Sequence, residues 1–362
     1  MRALPEILDQ LRVATFDSQA LIHNCRYIQR LSKGRLVMLC LKSNAYGHGI
    51  EQVAQYTQPF CDAWLVASLS EAISLRKRFH NHKIVLTTFL GDTQSVSLIS
   101  HYKLDWVVFC RAQIDLLVNQ KIPLPINVWL KLDSGFNRMG FLQDEMPALF
   151  SRLQQSCQVK SVNLMSHYAC AGNPNHVENL KQATIFNKLY QSLDIDHGCM
   201  ANSAALQHDL PDQGNWVKPG ILLYGICPAE HGLPIEPVMK VKAKVIAQKH
   251  CPQGGFVGYG ATWQASQDTQ IAVISFGYAD GYVTAYQQAK VLINGLWYPV
   301  VGKVSMDSLC VDLGNMSGNL IGSWAWVWGQ VHNRVEMVVK GTDHNIYEMP
   351  CHLSNRVQRQ WF

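Results

Sequence analysis

Charge is scarce in this chain. Asp, Glu, Lys and Arg make up 16% of the 362 residues while apolar types make up 48%, and a typical soluble chain is about a quarter charged. That balance favours extensive burial, including a buried subunit interface. The net charge is only +5, and no basic cluster alternates with aromatics, which argues against nucleic acid as a partner. No apolar run approaches a membrane span, the longest stretches such as Gly220 to Cys227 being strand-sized. Met1 to Asp17 lacks the charged-then-apolar plan of a secretory signal. The 11 cysteines show no CxxC pair or regular spacing. They predict reduced core residues of a cytoplasmic protein, not a disulfide frame, and no metal site. There is no internal repeat, low-complexity segment or heptad run.

What is present is a two-part pattern, as expected for a chain too long for one core. The first part alternates short apolar runs with amphipathic stretches, the rhythm of strand–helix units. Eight strands are predicted, at Leu36–Lys42, Trp64–Ser68, Lys83–Phe89, Asp105–Cys110, Asn127–Asp133, Asn163–His167, Gly198–Ser203 and Ile221–Ile226. Helices are expected between them, among them Ser70–Arg78 and Val177–Leu193, the latter facing the core with Leu180, Ile185, Leu189 and Leu193. Eight such units predict an α/β fold, a (β/α)8 TIM-type barrel. From about Pro234 the pattern changes to period two, with Met239, Val241, Ala243 and Val245 alternating against Lys240, Lys242 and Lys244. Further strands are predicted at Ile271–Phe276, Lys290–Ile293, Pro299–Val304 and Ala325–Trp328, with no long helix among them. The division is therefore a barrel over residues 1–232 and an all-β domain over 233–362.

The chemistry concentrates at strand ends, where barrel enzymes build their sites. The run Leu36–Leu41 ends in Lys42, followed by Ser43-Asn44-Ala45-Tyr46-Gly47-His48-Gly49. An ammonium ending a buried strand is costly unless it snorkels out or is consumed covalently, and by spacing alone both readings stand. The stretch from Lys42 to Gly49 resembles the pyridoxal-phosphate attachment motif of bacterial alanine racemases.

Other stretches resemble the same family in the same order. They are Val66 to Ala72, Lys131-Leu132-Asp133-Ser134-Gly135-Phe136-Asn137-Arg138-Met139-Gly140, Gly258-Tyr259-Gly260-Ala261-Thr262, Gly277 to Tyr282, Val301 to Asp307, and Ile346 to Cys351. The resemblance implies a pyridoxal-phosphate-dependent isomerase that interconverts L- and D-alanine and supplies D-alanine for peptidoglycan. It implies a Schiff-base lysine at Lys42, which also serves as one of two catalytic bases, Tyr259 being the other. It further implies cofactor contacts from Tyr46, Arg138, His167, Asn202, Ser203, Lys218, Gly220, Ile221 and Tyr347. Arg138 and Met306 would hold the substrate carboxylate, and Lys131 would carry a carbamate. Tyr259 and Met306 would serve the opposite subunit of a head-to-tail homodimer.

Racemisation needs two bases because a single fixed group usually returns the proton to the face it came from. The chain departs from the family pattern at Lys218 and Lys303, where arginine is usual, at Thr284, and near Gly172, where an acidic residue is usual. A swap of arginine for lysine loses the planar fork, and changes of this kind leave room for a racemase of broader specificity, for example on serine. A non-catalytic pyridoxal-phosphate-binding protein is the third reading. The second domain with its Tyr259 argues against it.

Overall fold

The structure is a computed structural model and describes residues 11–227, 232–282, 289–330, 332–340 and 344–362. Thr284, one of the departures above, lies outside the described residues. The chain divides into two compact units.

The first strand, β1 (Arg12–Phe16), belongs with residues 236–362 to a β unit, and residues 21–223 belong to a barrel unit. The barrel unit follows it. Its strands are β2 (Leu36–Cys40), β3 (Ala63–Val66), β4 (Lys83–Leu86), β5 (Asp105–Val108), β6 (Ile126–Lys131), β7 (Val159–Met165), β8 (Gly198–Cys199) and β9 (Trp216–Val217). All eight pair parallel with their neighbours, and β9 closes on β2 through Leu36↔Trp216 and Val37↔Val217. The chain thus forms the (β/α)8 barrel its alternation predicts. In β3, β4 and β5 nearly every residue is buried, as expected where helices cover one face and barrel packing the other.

Seven of the eight predicted strands are found within a few residues. The eighth is misplaced, because the closing strand is Trp216–Val217 and Ile221–Tyr224 forms a 3-10 turn. Four consecutive apolar residues carry no periodicity that separates strand from buried turn. Pro219 supplies the physical reason for the early stop, since a proline cannot donate to a ladder.

The helix predicted at Ser70–Arg78 runs Leu69–Arg78 and starts at a capping box. There the Ser68 hydroxyl accepts from the Glu71 N–H, and the Glu71 carboxylate accepts from the Ser68 N–H. The long helix Val177–Ser192 buries Asn179, Gln182, Ala183, Phe186 and Leu189. Leu180 of the predicted face is 65% exposed, so the inward face is more polar than its leucines suggest.

The β unit contains β10 (Met239–Cys251), β11 (Thr269–Ile274), β12 (Lys290–Ile293), β13 (Leu296–Val301), β14 (Leu309–Asp312), β15 (Trp324–Trp328) and β16 (Gln358–Trp361). The order β11-β14-β13-β12-β15-β10 closes through a β10–β11 pairing into an antiparallel ring. On its outer edge, β1 pairs antiparallel with β10 and parallel with β16. The predicted division at 232/233 therefore leaves β1 on the wrong side. The alternation along β10 is as expected, with Met239, Val241, Ala243 and Val245 buried. Opposite them, the Lys244 ammonium lies 4.1 Å and that of Lys242 4.8 Å from the Trp324 ring, a cation–π arrangement for half-buried lysines.

Candidate active site

In the barrel unit, the predicted residues gather at the carboxyl ends of the strands. Lys42 lies two residues beyond the end of β2 and is half-buried. The four residues after it, Ser43, Asn44, Ala45 and Tyr46, all have φ between 51 and 54°. They form one left-handed turn, which ends at Gly47 with φ 79°. For non-glycine residues this costs roughly 1–2 kcal/mol each, so the surrounding structure must impose it. The turn carries the buried Tyr46 to Gly220, where an added Cβ would lie 2.7 Å from the phenol oxygen. Only glycine allows that approach.

Gly220 completes a donor cradle. Its N–H donates to the Ser203 hydroxyl at 2.8 Å, and Ile221 opens the 3-10 turn, whose first amides lack partners within the turn. Asn202 caps the helix Ser203–Gln207 by accepting from the Ala205 N–H at 2.9 Å, and its amide nitrogen lies 3.4 Å from His167 Nε2. Hydroxyls, amides and a glycine without room for a side chain suit the oxygens of a phosphate.

Cations outnumber carboxylates around this cradle. Lys42, Lys131, Arg138 and Lys218 form no ion pair among the described residues. Asp133 draws Lys131 upward against burial and the other cations, while its Oδ1 accepts from the N–H groups of Gly135, Phe136 and Asn137 at 2.9–3.0 Å. That clamp shapes the loop that carries Arg138, whose guanidinium stacks 4.3 Å from the Phe136 ring centre. Lys218 is 5% exposed and donates to the Met200 carbonyl.

The consequences appear in the acid–base equilibria. Burial above all, then the charge of Lys218, lowers Lys131 to about 7. Burial also lowers Lys218. It holds His167 well below the usual imidazole range, with Lys218, Lys131, Arg138 and Lys42 adding to the effect. His167 is thus a neutral ring in a cationic pocket, and the pocket calls for an anion.

Sequence reasoning overlooks Gln182, which is fully buried. Its Oε1 accepts from the Ala169 N–H at 2.9 Å, and its Nε2 donates to the His167 carbonyl at 3.1 Å. A buried glutamine in a helix that reads as amphipathic is the only signal the sequence offers.

In the β unit, Tyr259 sits on a tight turn between Gly258 (φ 75°) and Gly260 (φ 71°) and is 74% exposed. Lys303 lies against this turn, since a Cβ on Gly260 would stand 3.6 Å from its Nζ. Met306, 53% exposed, belongs to the neighbouring loop, where its carbonyl accepts from the Ala279 N–H at 3.0 Å. That loop is braced by a buried carboxylate. Asp280 meets Arg12 at 3.1 Å and Arg356 at 3.4 Å, and Arg356 reaches on to Asp307 at 2.7 Å. Tyr347 sits on the turn into the helix Glu348–His352. Near Gly172 a side chain would meet nothing within 4 Å, so the family's usual residue is missing for no steric reason.

A parallel barrel that ends one strand in a lysine and faces it with a phosphate-type cradle and unpaired cations defines an enzyme built around an anionic ligand. Comparison with known proteins narrows that class. Residues 16–228 match the family described as "Alanine racemase, N-terminal domain", and residues 238–361 match "Alanine racemase, C-terminal domain". The chain is 36% identical over 357 residues to an alanine racemase of Shewanella amazonensis, covering 95% of this chain and 97% of that protein. It is 33% identical to the biosynthetic alanine racemase of Escherichia coli O6:H1, covering 97% and 99%. Among solved structures it is similar to the biosynthetic alanine racemase of Pseudomonas aeruginosa, with a TM-score of 0.92, 34% identity and coverage of 98% and 99%. It is also similar to the alanine racemase of Bartonella henselae, solved with covalently bound pyridoxal phosphate, with a TM-score of 0.87, 26% identity and coverage of 97% and 99%. The chain belongs to the alanine racemase family.

Proposed function

We propose that this chain is an isomerase that interconverts L- and D-alanine with pyridoxal phosphate, Lys42 being the attachment point and the base on one face. The observation that carries this reading is the placement of Lys42 on the barrel rim that also holds the Ser203–Gly220 cradle and the Tyr46 hydroxyl. The donor set fits the cofactor. Tyr46, Ser203, Gly220 and Ile221 would take its phosphate, with Tyr347 as a further donor, and His167, held beside Asn202, would lie against its ring. Arg138 would face its phenolic oxygen and the substrate carboxylate, and Lys218 its ring nitrogen. Bound there, pyridoxal phosphate acidifies the α-C–H of the amino acid by drawing off its electrons.

The chain's own residues do the rest. On D-alanine the Lys42 amine takes the α-proton, and on L-alanine the Tyr259 phenolate takes it from the opposite face; each returns a proton to its own side. Arg138, with the Met306 amide, fixes the carboxylate so that the α-carbon is presented to both bases. No carboxylate forms an ion pair with Lys218 among the described residues, and Asp212 acts on its charge only through space. A cation beside the ring nitrogen disfavours protonation there. That limits the spread of charge into the ring and favours return of the proton to the α-carbon.

Lys131 takes a carbamate in this reading. An amine brought to about 7 by burial and Lys218 is unprotonated in about half the molecules at neutral pH. Its lone pair adds to carbon dioxide, an N–H proton leaves, and the resulting anion answers the neighbouring cations. Labelled bicarbonate should give a carbamate carbon resonance that is lost in Lys131→Ala; a spectrum unchanged by that substitution would remove Lys131 from the role.

Tyr259 and Met306 are exposed on the β unit, a poor setting for a proton-transfer group unless something covers it. A second copy supplies the cover. Each site joins one barrel to the β unit of a head-to-tail homodimer partner, and the low charged fraction accords with such an interface. We place the enzyme in the cytoplasm, supplying D-alanine for peptidoglycan. No helix among the described residues is long and apolar enough to cross a membrane.

A chiral assay with purified protein and added cofactor tests the activity. Either pure enantiomer of alanine should run to a racemic mixture, and a single enantiomer unchanged after prolonged incubation would refute the reading.

A further inference from the structure

We infer that Glu71 is a positioning residue for Lys42, acting by holding the left-handed turn that follows it. The inference rests on the assignment of Lys42 as the attachment point and concerns how that lysine is aimed. Glu71 Oε1 accepts from the Asn44 N–H at 2.9 Å, in the middle of the turn. Oε2 accepts from the N–H groups of Ala67 and Ser68, both at 3.2 Å, at the end of the second barrel strand's loop. One carboxylate therefore ties the strained turn to the adjacent strand–helix junction, and it forms no ion pair among the described residues.

The turn has need of such a tie. Other bonds of the turn are local, among them Ala45 N–H to the Leu41 carbonyl at 2.8 Å and Ile50 N–H to Asn44 Oδ1 at 2.8 Å. Glu71 comes from a different strand–helix unit, on the helix Leu69–Arg78. All three of its partners are donors, so the site demands two acceptor oxygens. A capping-box glutamate ordinarily serves its own helix. Here its second oxygen works for the active-site turn, fixing where Lys42 leaves the barrel and where Tyr46 meets Gly220.

The test compares three full-length variants for pyridoxal phosphate dissociation constant, hydrogen exchange over residues 42–49, and kcat and KM. Glu71→Gln keeps shape but offers one acceptor, so an amide nitrogen must face either Asn44 or the Ala67–Ser68 pair. Its cofactor dissociation constant should rise about tenfold or more, the size that orienting partners of bound groups carry elsewhere. Exchange at Ala45 and Gly47 should quicken, and kcat should fall more than KM changes. Ser68→Ala weakens the helix cap yet leaves the carboxylate, so it should lower the melting temperature while the dissociation constant stays within about twofold.

Ser43→Gly in the Glu71→Gln background relieves one left-handed residue whose side chain is exposed, and it should recover part of the lost affinity. It also keeps the comparison open if Glu71→Gln alone folds poorly. Unaltered cofactor affinity and exchange in Glu71→Gln would overturn the inference. So would Ser68→Ala shifting affinity as much as Glu71→Gln, or no recovery with Ser43→Gly. A wild-type chain lacking a lysine-bound cofactor band would instead sink the Lys42 assignment itself.

Discussion

Lys42→Ala should abolish racemisation, with a loss of about a thousandfold or more, and should remove the visible absorbance band of lysine-bound cofactor. Both effects have one cause. In the function proposed above, the amine just beyond β2 is both the attachment point and the base on one face, so its removal takes away the covalent tether and a proton carrier together. The fold should survive, because the apolar residues of β2 are buried independently of Lys42. Pyridoxal phosphate should still be retained, more weakly, by the cradle of Ser203, Gly220 and Tyr46. Added methylamine, a small amine able to enter the vacated space, should restore a fraction of the rate. A variant that keeps the visible band and the rate would show that another lysine carries both roles, and Lys131 or Lys218 would then be the residues to examine.

Tyr259→Phe should separate the two faces. Removing one hydroxyl from a half-open turn leaves Gly258, Gly260 and the ring in place, so stability should change little. Exchange of the α-proton of L-alanine with solvent should fall by about 10²–10⁴, the usual worth of a positioned acid–base group. Exchange from D-alanine, served by Lys42, should persist. Net racemisation must nevertheless fall equally in both directions, because the two enantiomers have the same free energy and a single variant cannot change that equilibrium. The distinguishing readout is therefore solvent isotope exchange. Equal loss of exchange from both enantiomers would contradict the assignment of Tyr259 to one face.

Much of this site was legible in the sequence because it lies at the ends of buried strands, where an apolar run followed by Lys, Ser, Asn or His stands out. The positions of Lys42, Lys131, His167 and Ser203 stand out in that way, while the roles proposed for them come from the resemblance to the family. The closing strand was not legible, since Ile221–Tyr224 has the composition of a strand and only the proline ahead of it hints otherwise. Strand β1 escaped because its partners are hundreds of residues away, with Thr15 paired to Lys240 and to Gln360. Short strands joined across the whole chain leave no local turn signal.

The clamps were the least visible. Asp133, Gln182 and Glu71 act on backbone N–H and C=O groups, and no pattern of residue types records which amide a side chain will meet. Glu71 came nearest to being readable, because Ser68 and Glu71 have the spacing of a capping box. What that spacing hides is the second oxygen, turned toward Asn44. The left-handed turn itself was invisible, as Ser43, Asn44, Ala45 and Tyr46 include only one residue type with a taste for positive φ.

The central claim is that each working site takes its amine from one subunit and its phenol from the other. Co-expression of Lys42→Ala and Tyr259→Phe chains under different affinity tags, with isolation of the doubly tagged dimer, tests it directly. Each variant alone should be nearly inactive, whereas the mixed dimer contains one intact site and one doubly damaged site and should recover about half the wild-type rate per dimer. A mixed dimer as inactive as either parent would contradict the claim, because amine and phenol would then belong to the same chain.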